Sequence, residues 1–146
     1  MRVRGDGALI RRVSPRRWFV DENNLLLARR LAETRDDVVH PGHPNLAEVP
    51  RGASDETWLE VVGRLELIVI TRDKRIRYRP VERQRWIDHR VRGFVLTSAG
   101  NMRIDEQLAL LEDRWTNMER LVAARPGGPW MCSVTRSGIR TLIPQQ

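Results

Sequence analysis

Cysteine is almost absent from this 146-residue chain, with Cys132 standing alone. One thiol excludes an intrachain disulfide, a four-cysteine zinc site and any cysteine-rich cluster. A lone cysteine is most often a small buried hydrophobe. Long hydrophobic runs are missing too: nothing approaches the ~20 apolar residues that cross a bilayer, so no membrane partner is expected. No long apolar segment follows Arg2 and Arg4, so the N-terminus does not read as a secretion signal. A cytoplasmic location is the expectation. There is no glycine-rich phosphate loop, since Gly5 and Gly7 precede no strand-to-helix turn. Ser14 and Ser133 lack any surrounding motif for nucleophilic catalysis.

Lysine is as scarce as cysteine. The formal charge of +7 is therefore carried almost wholly by arginine, with Lys74 the sole exception. Arginine's planar fork suits phosphate better than a point charge does, although a nucleotide bias of the genome would give the same usage. Apolar content is ordinary for a globular protein. A chain of this length forms one domain that buries roughly two thirds of its unfolded surface. Residues 1–16 read as a basic N-terminal segment with a small apolar patch, Ala8-Leu9-Ile10, as a candidate edge strand. The single domain is expected over residues 17–146.

The pattern becomes regular at Trp18. "WFV" is a short, continuously apolar strand of the kind buried on both faces of a parallel sheet. Leu25, Leu26, Leu27 and Leu31 predict a short amphipathic helix, and "DVVHPGHP" a second strand ended by Pro41 and Gly42. Residues 41–53 hold three prolines and two glycines and read as a loop. Ser54 caps a helix with Asp55 and Glu56 in its first turn. "LIVIT" and "RGFVLTS" are strands. Asn101 is placed to cap a long helix striped by Ile104, Leu108, Leu111, Trp115, Met118 and Val122. "WMCSV" and "GIRTLI" flank Thr135-Arg136-Ser137-Gly138 as a closing hairpin. The order β-α-β-α-β-β-α plus hairpin predicts a three-layer α/β/α domain around a mainly parallel sheet.

Two apolar strands end on carboxylates, "WFV" on Asp21-Glu22 and "LIVIT" just before Asp73. In open α/β sheets the functional crevice lies beyond the carboxyl ends of the strands, where strand order reverses. If the two strands are neighbours, Asp21 and Asp73 enter one crevice. Asp55, at a helix start after the loop, can face it as well, and Glu22 can join through a turn. Clustered carboxylates raise one another's pKa. A hard divalent cation, Mg²⁺ or Mn²⁺, relieves the repulsion and stabilises charge on a phosphoryl oxygen. The plainer readings are helix N-terminal charges for Asp21-Glu22 and Asp55-Glu56, and a surface-turn aspartate for Asp73.

"FVDEN", "GASDETWL" and "VITRDKRIR", in this order and spacing, resemble the PIN-like nuclease domains. That group includes the VapC-type toxins and their shorter relatives. The similarity runs over residues 18–98, and the long helix and final hairpin suit one subgroup. It implies a PIN-like fold and a Mg²⁺- or Mn²⁺-dependent ribonuclease. It carries metal-binding and catalytic roles to Asp21 in "FVDEN", Asp55 in "SDETW" and Asp73 in "TRDK", with Glu22 a further candidate ligand. Larger members add a fourth acid. Glu82 and Asp88 are the candidates here, and neither sits in a recognisable motif. The implied partners are an RNA substrate and a cognate antitoxin protein. A catalytically degenerate module that binds RNA or a partner protein is the alternative, and the Ile104–Val122 stripe offers a homodimer surface or an ordinary core face.

Residues 72–92 carry nine basic side chains against Asp73, Glu82 and Asp88. The stretch adjoins the expected site and reads as an RNA-backbone contact led by Arg72, Lys74, Arg75 and Arg77, or as a solvated charged face. Within it Tyr78 and Trp86 could stack on bases or, for Trp86 above all, pack in the core. His40 and His43, separated by Pro41-Gly42, read as loop residues. Haloacid-dehalogenase-like phosphatases need Asp-x-Asp where this chain has Asp21-Glu22-Asn23. Receiver domains need a late-strand lysine, and the one lysine adjoins Asp73.

Overall fold

In the computed structural model, which describes residues 16–144, strands alternate with helices up to a final hairpin. The Ala8-Leu9-Ile10 patch lies outside the described residues. The strands are β1 (Trp18–Val20), β2 (Val38–Val39), β3 (Ile68–Thr71), β4 (Arg92–Val95), β5 (Trp130–Thr135) and β6 (Gly138–Ile143). The helices are α1 (Leu25–Ala32), α2 (Asp55–Arg64), α3 (Pro80–Asp88) and α4 (Ile104–Ala124). The strands form one sheet in the order β2-β1-β3-β4-β5-β6. All pairings are parallel except the final β5–β6 hairpin.

Alternation along each strand divides the core into two layers. Trp18, Val20, Ile68, Ile70 and Phe94 pack on one face with Leu27 and Leu31 of α1 and Leu111, Trp115, Met118 and Val122 of α4. Phe19, Val69 and Met131 pack on the other with Trp58, Leu59 and Val62 of α2 and Trp86 of α3. The fold is thus the three-layer α/β/α arrangement predicted from the alternation. The Ile104–Val122 stripe serves the domain's own core. Among the described residues, no helix is long and apolar enough to cross a membrane.

Two local expectations are corrected. The basic stretch after β3 contains α3, where no helix was predicted. Adjacent parallel strands cannot be joined by a tight turn, so β3 needs a crossover to reach β4. Pro80 starts that crossover at the first helical position, where its missing N–H is harmless. Only Trp86 of α3 is buried, so the helix leaves almost no apolar periodicity to read. Its indole occupies space that Gly93 of β4 leaves open: a Cβ there would lie 2.8 Å from the ring. The indole N–H donates to the Trp130 carbonyl at 3.1 Å, which makes Trp86 a core residue. The second correction concerns α4. Its N-cap is Arg103, whose N–H donates to Glu106 Oε1 at 2.8 Å, while Asn101 closes a preceding 3₁₀ turn. The Ser54 cap stands as read, its hydroxyl accepting from the Thr57 N–H at 3.2 Å.

The chain leaves β1 for β2 on one side and then crosses back to β3 on the other. Strand order therefore reverses at β1, and the carboxyl ends of β1 and β3 flank the resulting crevice.

Candidate functional site

The parallel register Val20↔Ile70 sets the residue after β1, Asp21, beside Thr71 at the end of β3. The Thr71 hydroxyl donates to Asp21 Oδ2 at 2.6 Å and accepts from the Asp73 N–H at 3.0 Å. One side chain thus ties together the two acids on which the sequence reading rests. Asp21 is only 5% exposed. Burial pushes its carboxyl up to about 7; the Thr71 bond works against this, Asp73 and Asp55 add to it, and Arg72 lowers it slightly. Its other oxygen, Oδ1, is buried without a hydrogen-bond partner. An isolated buried carboxylate oxygen is costly, and it is rare in a folded core without a ligand to satisfy it.

The remaining acids surround Asp21 but are held by neighbours. Asp73 Oδ2 accepts from Arg79 Nη1 at 2.9 Å, and its Oδ1 accepts from the Arg75 N–H at 3.2 Å. Asp55, the first residue of α2, accepts from Trp58 Nε1 at 2.9 Å. Glu22 accepts from the Gly52 N–H at 2.8 Å and lies 3.5 Å from Arg51 Nε, so it is turned toward the loop. Asn23 and Asp55 line two adjoining clefts. One, of about 300 Å³, includes Asp21, Glu22 and Trp58; the other, of about 560 Å³, includes Arg72, Asp73, Lys74, Arg75 and Arg79. Acid and base therefore share one groove along the carboxyl edge.

The donor chemistry fits a hard divalent cation. Mg²⁺ is commonly held by one or two carboxylates plus water and substrate phosphate. Asp21 has a free oxygen for it, and Asp73 and Asp55 lie close enough to push up the Asp21 carboxyl. Three acids do not stand ready-made: among the described residues, no group of three Asp, Glu, His or Cys side chains is arranged to hold an ion. The Arg79 guanidinium serves Asp73 as its counter-charge instead.

The fourth-acid candidates separate. Glu82 lies in the first turn of α3, with Oε1 3.8 Å from Arg79 Nε, and so borders the acid cluster through that arginine. Asp88, at the far end of α3, accepts from Gln84 Nε2 at 2.8 Å and lines neither of the two clefts. The basic stretch separates too, and is not one continuous face. Arg72, Lys74 and Arg75 line the acid cleft, whereas Arg77 lines a different one beside the hairpin. Arg85 pairs with Glu56 at 3.5 Å. Arg92 holds the carbonyls of Glu66 and Pro126 at the opposite edge.

Sequence reasoning passed over three contributors. Thr71 was read only as a strand end and Arg79 only as one positive charge among nine. Asn24 was not singled out, yet it is buried and donates to Gln107 Oε1 at 2.8 Å, tying the turn after β1 to α4. A hydroxyl closing a strand two residues before an aspartate was the available signal for Thr71. Elsewhere the plain readings stand. His40 and His43 meet edge to face at 5.0 Å within the loop, and burial, then His40, lowers the His43 pKa. Cys132 is buried, which pushes its thiol up and leaves it inert.

No curated protein and no solved structure matches the chain. The sequence model of the PIN like domain matches residues 9–98, which span β1 to the end of β4 and contain Asp21, Asp55, Thr71 and Asp73. With well over half of its length matched and a mostly parallel α/β/α sheet carrying acids at its carboxyl edge, the chain belongs to the PIN like domain family.

Proposed function

We propose that this protein is a divalent-metal-dependent endoribonuclease, the toxin of a toxin–antitoxin pair. PIN-like domains are commonly nucleases that use divalent metals. The observation that carries the reading is Asp21, buried at the switch point of the sheet with one oxygen fixed by Thr71 and the other left unpartnered. Asp21, Asp73 and Asp55 would hold the ion, with Glu22 close by on the cleft wall. When bound, Mg²⁺ or Mn²⁺ supplies positive charge that offsets the carboxylates and the phosphodiester, and it acidifies water for attack on phosphorus. Thr71 keeps Asp21 oriented. Arg72, Lys74 and Arg75 grip the flanking phosphates and align the scissile one. Water adds to phosphorus and the P–O3′ bond breaks, leaving 5′-phosphate and 3′-hydroxyl ends as the family mechanism implies. The toxin role rests on the likeness to VapC-type sequences.

Purified wild type, Asp21→Asn and Asp73→Asn are compared on end-labelled RNA with Mn²⁺. Each variant is expected to lose cleavage by at least about a hundredfold; cleavage undiminished in both would overturn the assignment. The engagement of Asp73 by Arg79 favours a second reading, a non-catalytic module that binds RNA through the same edge. Calorimetric titration separates the two, because the module would bind no Mn²⁺ at millimolar concentration.

A further inference from the structure

Beside the acid groove lies a second cleft of about 470 Å³ with a different chemistry. It is lined by Arg77, Thr97, Ser133, Thr135, Ser137 and Arg140, with no carboxylate among its lining residues. Its position follows from the topology. Thr97 lies just past β4, Thr135 ends β5, and the hairpin turns back at Gly138, so the cleft opens at the carboxyl edge that also holds Asp21. Ser133 pairs with Arg140 across the hairpin and with Val95 on β4. Val95 belongs to the core layer that α2 and α3 cover, and beyond it the hairpin grades from buried Ser133 through half-buried Thr135 to exposed Arg140.

Neither guanidinium is tied to a carboxylate among the described residues. Among the described residues Arg140 is exposed and has no ion pair, and Arg77 lies 4.4 Å over the exposed Tyr78 ring and contacts its hydroxyl. Arg77 Nε is buried without a hydrogen-bond partner. Paired positive charges, several hydroxyls and no competing acid form a receptor for an anion with several oxygens. Arg77 follows Lys74 and Arg75 by two to three residues, so the short turn after β3 supplies basic side chains to both the acid groove and this separate cleft.

We infer that this hairpin cleft is a phosphate-backbone subsite for the RNA strand on one flank of the scissile bond, with Arg77 and Arg140 as its charged contacts and the exposed Tyr78, in contact with Arg77, for stacking on a base. The inference rests on the ribonuclease reading and extends it, because the family's acidic motifs do not reach the hairpin. Arginine and hydroxyl contacts to phosphate fix register without reading sequence.

The test is fluorescence anisotropy of a labelled single-stranded oligoribonucleotide over a salt series, with EDTA present so that the acid cluster holds no metal. Arg140→Ala is expected to weaken binding about five- to tenfold at low salt and to shrink the slope of log K against log salt by about 0.7, one phosphate contact on a single strand. Arg75→Ala reports the acid groove. Arg136→Ala, on the same hairpin but outside the cleft, serves as control and is expected to change little. If Arg75→Ala weakens binding while Arg140→Ala alters neither affinity nor slope, the subsite is wrong and the nuclease reading survives, leaving the cleft to a protein contact. If the wild type binds no RNA even at low salt, both readings fail together.

Discussion

Thr71 and Asp21, fifty residues apart in sequence, are joined by a 2.6 Å hydrogen bond across the β1–β3 pair. The same hydroxyl receives the Asp73 N–H at 3.0 Å, so its position couples the buried acid to the partly exposed one. This arrangement follows from register: once Val20 pairs with Ile70, the next residue on each strand must meet at the crevice.

Thr71→Val keeps the shape and deletes both hydrogen bonds. Asp21 then loses the one hydrogen bond it makes to a side chain among the described residues, and the Asp73 N–H loses its acceptor. Stability at neutral pH is expected to fall by about 1–3 kcal/mol, and Mn²⁺ affinity is expected to fall with it. Urea unfolding and calorimetric titration measure the two, and unchanged values in both would show that Thr71 is only a packing residue.

Asp21 also makes stability depend on pH in a defined direction. Its folded pKa, about 7, stands above the ordinary aspartate value of 3.8. Below that ordinary value the carboxyl is protonated in both states and burial costs nothing extra. As pH rises from there toward 7, the unfolded chain releases the proton while the folded one keeps it, so stability falls. Above 7 the loss levels off at on the order of 4 kcal/mol in metal-free protein. Asp21→Asn removes this pH-dependent cost, although its amide lacks an acceptor where Oδ1 stood. In EDTA the variant is expected to be more stable than wild type by about 1–3 kcal/mol at pH 7.5 and less stable by about 1–2 kcal/mol at pH 4, where only the amide's missing acceptor counts. A stability difference that does not vary with pH would contradict the burial argument.

Arg79 acts as a resident counter-charge, donating to Asp73 at 2.9 Å and lying 3.8 Å from Glu82. Arg79→Ala is expected to tighten Mn²⁺ binding about tenfold by removing a competing cation. Metal-free stability should drop by less than about 1 kcal/mol, because the pair is partly exposed. Weaker Mn²⁺ binding would reverse the assignment and make Arg79 the residue that positions Asp73.

Much of the fold was legible because its signals are local. Apolar runs bounded by turn residues mark "WFV", "LIVIT" and the closing hairpin, and Ser54 with Asp55-Glu56 marks the start of α2. The helix α3 was hidden because it buries a single residue, Trp86, and carries a dense run of charges on its exposed surface. Only knowing that β3 and β4 lie side by side in parallel makes a crossover helix necessary there.

The sequence by itself determined which side chains are present and at which strand ends and helix starts they stand: Asp21, Asp55 and Asp73 at element boundaries, arginines nearby and an alternating order of strands and helices. Tertiary structure alone decided their company. It put Thr71 against Asp21, gave Asp73 to Arg79, sent Arg77 to the hairpin and left Asp88 outside the acid clefts. Those pairings depend on strand order and register, which bring distant residues together with no trace in local spacing.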